Sequence, residues 1–145
     1  MKRYSKWLME QVQQVNRQWR CDQLSLVLTD DEGITPLNET YFGKARPTDV
    51  ISFMYDEIPG EEGEGPTGEV IVNAQRAEEV GPEHQGVNRE LALYIAHGCH
   101  HLTGATDETP EQRDAMRSKE VAWLDEAERC GHLTGLTEED PDTTI

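Results

Sequence analysis

The sequence predicts an α+β fold, a small mixed sheet of about three to four strands packed with helices. Three observations carry this. Short apolar runs of strand length alternate with stretches whose apolar residues recur at helical spacing. One such stretch, near residues 88–102, is apolar enough to belong inside the domain. The length of 145 residues suits one domain that buries its own core without disulfides. Residues 1–145 are therefore read as a single domain, with a flexible acidic loop over 56–67 and a frayed tail over 132–145.

Taken in order, Leu8, Val12, Val15 and Trp19 mark an amphipathic helix from about Tyr4 to Trp19. Leu24 to Thr29 reads as a strand buried on both faces. Asp30 or Asp31 can cap the next helix, which would bury Ile34, Leu37 and Tyr41, tolerate Pro36 near its start and end at Gly43. Lys44 to Asp49 is a polar turn. Val50 to Tyr55 is a second strand, with Val50, Ser52 and Met54 on one side and Ile51, Phe53 and Tyr55 on the other. Repeated Gly, Pro and Glu then make the acidic loop, which leads into a third strand, Gly68 to Asn73, antiparallel to the second. Asn73 caps a short helix that stops near Gly81 and Pro82.

Asn88 opens the central helix, with a stripe of Leu91, Tyr94, Ile95, Gly98 and Leu102. Thr109, Pro110, Glu111 and Gln112 combine a cap, a first-turn proline and an early acid, a strong helix start. Met116, Trp123, Leu124 and Ala127 mark the buried side of that last helix, and Gly131 closes it.

A formal net charge of −16 argues against generic nucleic-acid binding, because phosphate affinity comes from Lys and Arg. Local cations remain, among them Lys44 and Arg46 in the polar turn. Cys21, Cys99 and Cys130 are scattered and odd in number, as free thiols in a reducing compartment are. The apolar run after the first basic residues stops at Glu10, too early for a secretory core, and no stretch is long enough to span a bilayer. The expectation is a cytoplasmic protein with no membrane partner.

The chemistry concentrates in residues 97–107. His97 and His101, four apart, share one helix face, since a turn takes about 3.6 residues. Gly104 can end the helix in a left-handed conformation and let Asp107 swing back. Two imidazoles and one carboxylate, with the rest left to water, form the ligand set of a catalytic zinc site. His100 lies off that face, on the surface or behind the ligands, and Cys99 is read as packing. His84 and His132 lack partners in sequence and default to solvent. The spacing overlays the metzincin peptidase pattern, making the central helix zincin-like, but Gly98 stands where peptidases carry the general-base Glu. A site without that base points toward phosphodiester rather than peptide hydrolysis.

His97-Gly98-Cys99-His100-His101-Leu102-Thr103-Gly104-Ala105-Thr106-Asp107 resembles the motif of the YbeY-type metal-dependent endoribonuclease family, His-Gly-x-Leu-His-Leu-x-Gly-Tyr-Asp-His. Earlier blocks follow the family in order, among them Leu37-Asn38, Tyr41, Gly43-Lys44, Pro47 to Phe53 and Gly68 to Val72, and Met116 to Glu120 resembles its last helix. The resemblance runs from about Leu24 to Ala127. It implies one Zn2+ per chain on His97, His101 and Asp107. It also implies endonucleolytic cleavage of single-stranded RNA in rRNA maturation, at the 3′ end of the small-subunit 16S rRNA, and in ribosome quality control. Partners would be rRNA and the ribosomal small subunit or its assembly factors.

Three departures stand out: Asp107 replaces the third histidine, Ala105 and Thr106 replace Tyr-Asp, and Phe42 replaces the family's arginine. That arginine contacts RNA phosphate or stabilises charge developing in cleavage, which leaves Arg46, then Lys44, as catalytic candidates. The chain also enters directly on a helix, so the first strand of longer family members is expected to be absent. Two alternatives compete with the nuclease: a zinc-stabilised, non-catalytic ribosome-assembly factor, and a metzincin-like metallopeptidase.

Overall fold

The computed structural model describes residues 1–55 and 66–136, and the backbone of 143–144. The acidic loop expected at 56–67 lies outside the described residues except at its end, where Thr67 already belongs to a strand. Four strands, β1 (Gln23–Thr29), β2 (Val50–Tyr55), β3 (Thr67–Asn73) and β4 (Thr143–Thr144), form one sheet in the order β2-β3-β1-β4. β1 and β3 run parallel, with Leu26 beside Val70, while β2 lies antiparallel to β3, with Ser52 beside Val70. β4 is antiparallel to β1. The sheet is therefore mixed, and the α+β class stands.

Strand alternation gives the sheet two apolar faces. Leu24, Leu26, Val70 and Val72 join the main core with α1 (Lys2–Val15), α4 (Val87–Leu102) and α5 (Pro110–Arg129). On the opposite face Ile51 and Ile71 pack on Ile34 of α2 (Asp31–Phe42). A short helix, α3 (Ala74–Val80), and a single 3-10 turn link β3 to α4.

Local signals set the boundaries. Asp30 accepts the Gly33 N–H at 2.8 Å, and Asn73 accepts the Arg76 N–H at 3.1 Å, each satisfying an orphan donor at a helix start. Thr109 and Gln112 close a reciprocal capping box on α5. Helix α1 ends before the predicted Trp19: Val15 is exposed, and Trp19 lies beyond the helix, donating its indole N–H to the Leu102 carbonyl at 3.1 Å. Its spacing reported partial burial without helix. In α2, Tyr41 was expected inside but is 57% exposed. Asn38, one turn after Ile34, is buried instead, because its amide donates to the Arg46 carbonyl at 2.9 Å.

The tail is not frayed from 132 onward. Leu133 and Leu136 are buried in the main core, so the chain is packed through 136, and the rest of the tail lies outside the described residues apart from β4. His132, expected in solvent, is partly buried against Trp7, ring centroids 5.4 Å apart.

Helix α4 crosses the sheet so closely at Gly98 that no side chain fits there. A Cβ would sit 2.7 Å from Val70 Cγ1, 2.9 Å from Val50 Cγ2 and 3.0 Å from Ser52 Oγ. The Ser52 hydroxyl donates to the Gly98 carbonyl at 2.8 Å, tying helix to strand. The missing carboxylate at this position is thus a packing requirement as well as a chemical signal. Gly98→Ala is expected to cost about 1–3 kcal/mol by overpacking, read as a lower urea midpoint in equilibrium unfolding; an unchanged midpoint would show that the crossing is looser than described.

Candidate metal centre

The last two turns of α4 place His97 and His101 on one side, and the turn after it returns Asp107 to them. Gly104 takes φ +89°, a conformation that a residue with a Cβ strains to reach, and its N–H closes the helix on the His101 carbonyl at 3.0 Å. Arg113 of α5 donates to the Asp107 carbonyl at 3.2 Å, and the Gln112 side chain accepts the N–H groups of Glu108 and Thr109 at 3.0 and 3.1 Å. The loop that carries Asp107 is therefore anchored at both ends.

Three acceptor atoms converge as a result. His97 Nε2 lies 2.9 Å from His101 Nε2, and Asp107 Oδ2 lies 3.5 and 3.6 Å from the two. Ligand atoms about 2.0–2.1 Å from a tetrahedral zinc ion stand about 3.3 Å apart, so the spacing fits such an ion. The protonation pattern fits too. His101 Nδ1 lies 2.9 Å from the Ala105 carbonyl, which only accepts, so the proton is on Nδ1 and the Nε2 lone pair points at the cluster. His97 Nδ1 likewise faces the Glu120 carboxylate, 3.0 Å from Oε2. Two lone pairs and a carboxylate oxygen thus meet with no donor of their own. Such a cluster needs a cation, a proton or a metal ion, at its centre. The side chains are 27%, 29% and 42% exposed, leaving the centre open on one side.

Sequence reasoning missed Glu120. It sits on the buried stripe of α5, one turn after Met116 and one before Trp123 and Leu124, and is 1% exposed. Its Oε2 accepts from both His97 and His100, the latter at 2.9 Å. Burial opposes its charge, but the His100 and His97 hydrogen bonds prevail and hold its pKa below the usual carboxylate value. For His97, burial disfavours the charged ring, while Glu120 first and Asp49 and Asp107 after it outweigh burial and raise its pKa. His100 is accordingly not on the surface: it is buried, packs on Trp123 and stands behind His97 through Glu120. A carboxylate on an otherwise apolar stripe was the signal available in the sequence. Cys99 is fully buried, in agreement with its reading as packing, and burial raises its thiol pKa well above the ordinary value. His84, though more than half exposed, is paired with Glu90 at 2.7 Å.

The cluster opens into a cleft of about 400 Å³ whose wall includes Phe42, Lys44, Arg46 and Asp49. Both predicted cations therefore line the same cleft as His97, His101 and Asp107. Two buried asparagines hold the basic turn there: Asn38 donates to the Arg46 carbonyl, and Asn73 donates to the Thr48 carbonyl at 3.1 Å and to Asp31 at 2.6 Å. Among the described residues the Arg46 guanidinium has no ion-pair partner. Phe42, 53% exposed, presents an apolar ring to the same space.

Glu120→Gln keeps the shape but removes the charge that orients His97. Zinc affinity, measured by competition with a chromogenic chelator, should fall roughly ten- to a hundredfold. An unchanged affinity would mean that Glu120 serves the fold alone.

Comparison with known proteins points one way. A family model described as Endoribonuclease YbeY matches residues 1–128. A protein named Endoribonuclease YbeY from Salinibacter ruber is 42% identical over 106 residues, covering 70% of this chain and 68% of its own length. Namesakes from Myxococcus xanthus, 37% identical over 72% of this chain and 36% of their own, and Symbiobacterium thermophilum, 38% identical over 66% and 65%, match as well. The solution structure of TM1509 from Thermotoga maritima shares the fold at a TM-score of 0.56 and 22% identity, over 96% of this chain and 91% of that one. With a cluster that could hold a metal ion and a family model spanning both it and the basic turn, the chain belongs to the Endoribonuclease YbeY family, metal-dependent hydrolases that act on RNA.

Proposed function

We propose that this chain is a zinc-dependent, single-strand-specific endoribonuclease that works in the cytoplasm on rRNA, at the 3′ end of 16S rRNA, and in ribosome quality control with the small subunit or its assembly factors. The observation that carries the reading is the convergence of His97, His101 and Asp107 in an open cleft flanked by Lys44 and Arg46. The names of the relatives supply the substrate class.

His97, His101 and Asp107 would hold one zinc ion, two neutral imidazoles and one anionic oxygen being a fitting donor set. When bound, zinc supplies Lewis acidity at a phosphate oxygen and lowers the pKa of water at the site. The chain's own residues do the rest. Glu120 and the Ala105 carbonyl fix both imidazoles with Nε2 turned inward. Arg46, carried on a turn pinned by Asn38 and without an ion pair among the described residues, would meet the charge that grows on the phosphate, with Lys44 lining the same cleft. Gly98 leaves the helix without a carboxylate base, and the sheet behind it has no room for one, which argues against the peptidase alternative.

His97→Ala should lose both zinc, by elemental analysis, and cleavage of single-stranded RNA; undiminished cleavage by a metal-free preparation would overturn the proposal. Arg46→Ala, in the wild-type metal state, should lower kcat by about tenfold or more, with a smaller loss for Lys44→Ala, in a single-turnover assay. The exposed ring of Phe42 favours one second reading, a zinc-stabilised assembly factor without catalysis. A large chelator-induced drop in Tm together with no cleavage at any zinc loading would select it.

A further inference from the structure

The cleft does not end at the metal cluster. On the far side of His97 a second cavity of about 220 Å³ shares His97 and Asp49 with it and is walled by Arg76 of α3, Tyr94 of α4 and Arg117 of α5. Three carboxylates face this cavity, and each is engaged within the fold. Glu90 pairs with His84 at 2.7 Å, Glu120 accepts from His97 and His100, and Asp49 accepts the Val50 N–H at 2.8 Å. The two arginines are exposed and make no ion pair or side-chain hydrogen bond to a described residue. Arg89, by contrast, is held by Asp125 and Glu128, and Arg129 by Glu126.

In a chain with a net charge of −16, two guanidinium groups with no ion pair among the described residues, brought from separate helices to one cavity, describe a site for an anion. Its position next to His97 sets it beside any phosphodiester poised at the cluster. We propose that Arg76 and Arg117 form a phosphate-binding subsite for the nucleotide adjoining the scissile bond. A single strand then passes from Lys44 and Arg46, across His97, to Arg76 and Arg117, with cations on both sides of the cut. This rests on the endoribonuclease reading and adds to it the path of the strand. It also reconciles the acidic composition with RNA binding: the cations that matter are local, and the acids around them are engaged in hydrogen bonds within the fold.

The test is binding of a fluorescein-labelled single-stranded RNA to the zinc-loaded chain, followed by anisotropy across a salt series, with cleavage kinetics in parallel. For the double variant Arg76→Gln, Arg117→Gln we expect Kd to rise roughly tenfold. The slope of log binding against log salt should fall by about 0.7, the share of one phosphate in a single strand. The kinetic loss should fall on KM, and the double variant Arg76→Lys, Arg117→Lys should recover most of the binding. Unchanged Kd and slope, or a fall in kcat at unchanged Kd, overturns the subsite while wild-type cleavage leaves the endoribonuclease reading standing. A wild-type chain that neither binds nor cleaves the RNA overturns both.

Discussion

The Glu120 carboxylate is the constraint on which the rest of the structure depends. It is sealed from water and accepts hydrogen bonds from His97 and His100 on the neighbouring helix. A buried carboxylate is tolerated only when its charge is met, and here the two imidazoles meet it. In return it ties α4 to α5 and directs His97 Nε2 toward His101 and Asp107. On the opposite side of α4, the Gly98 backbone rests on Val50, Ser52 and Val70 of the sheet. The helix is therefore held from two sides, by a polar contact and by close apolar packing, and the two candidate imidazole ligands are presented by a helix rather than by a loop.

Only Asp107 comes from irregular chain, and its loop is tied to α5 by the capping box and by Arg113. The replacement of a neutral ligand type by a carboxylate lowers the charge of the centre by one. That change raises the demand for cations around the cleft. Arg46 and Lys44 line it on one side, Arg76 and Arg117 the cavity beyond His97, while Phe42 contributes none. The overall acidity of the chain and a local binding site for a polyanion are compatible, because fields at the protein surface act over about a Debye length of 8–10 Å and are set by which charges are already paired.

Much of this was legible in sequence because it is local. The caps Asp30, Asn73 and Thr109, the stripe of α4, and the spacing of His97, His101 and Asp107 all depend on residues within a few positions of one another. What escaped depends on contacts far apart in the chain. Glu120 meets His97 across 23 positions, and Asn38 is buried only because the chain turns back to offer the Arg46 carbonyl. Trp19 matched a helical period but is partly buried outside the helix, bonded to Leu102, 83 residues on. Gly98 was read as a lost base, whereas its neighbours across the sheet leave space for nothing larger. Leu133 and Leu136 show the same limit: an acidic, short tail hid two residues that complete the core.

The central claim is that two imidazoles and one carboxylate hold a zinc ion with an open position. X-ray absorption at the zinc edge of the metal-loaded chain tests it most directly. The account predicts only nitrogen and oxygen neighbours at about 2.0–2.1 Å, with the multiple-scattering signature of two imidazoles. A sulfur neighbour at about 2.3 Å, or fewer than two imidazoles, would contradict it.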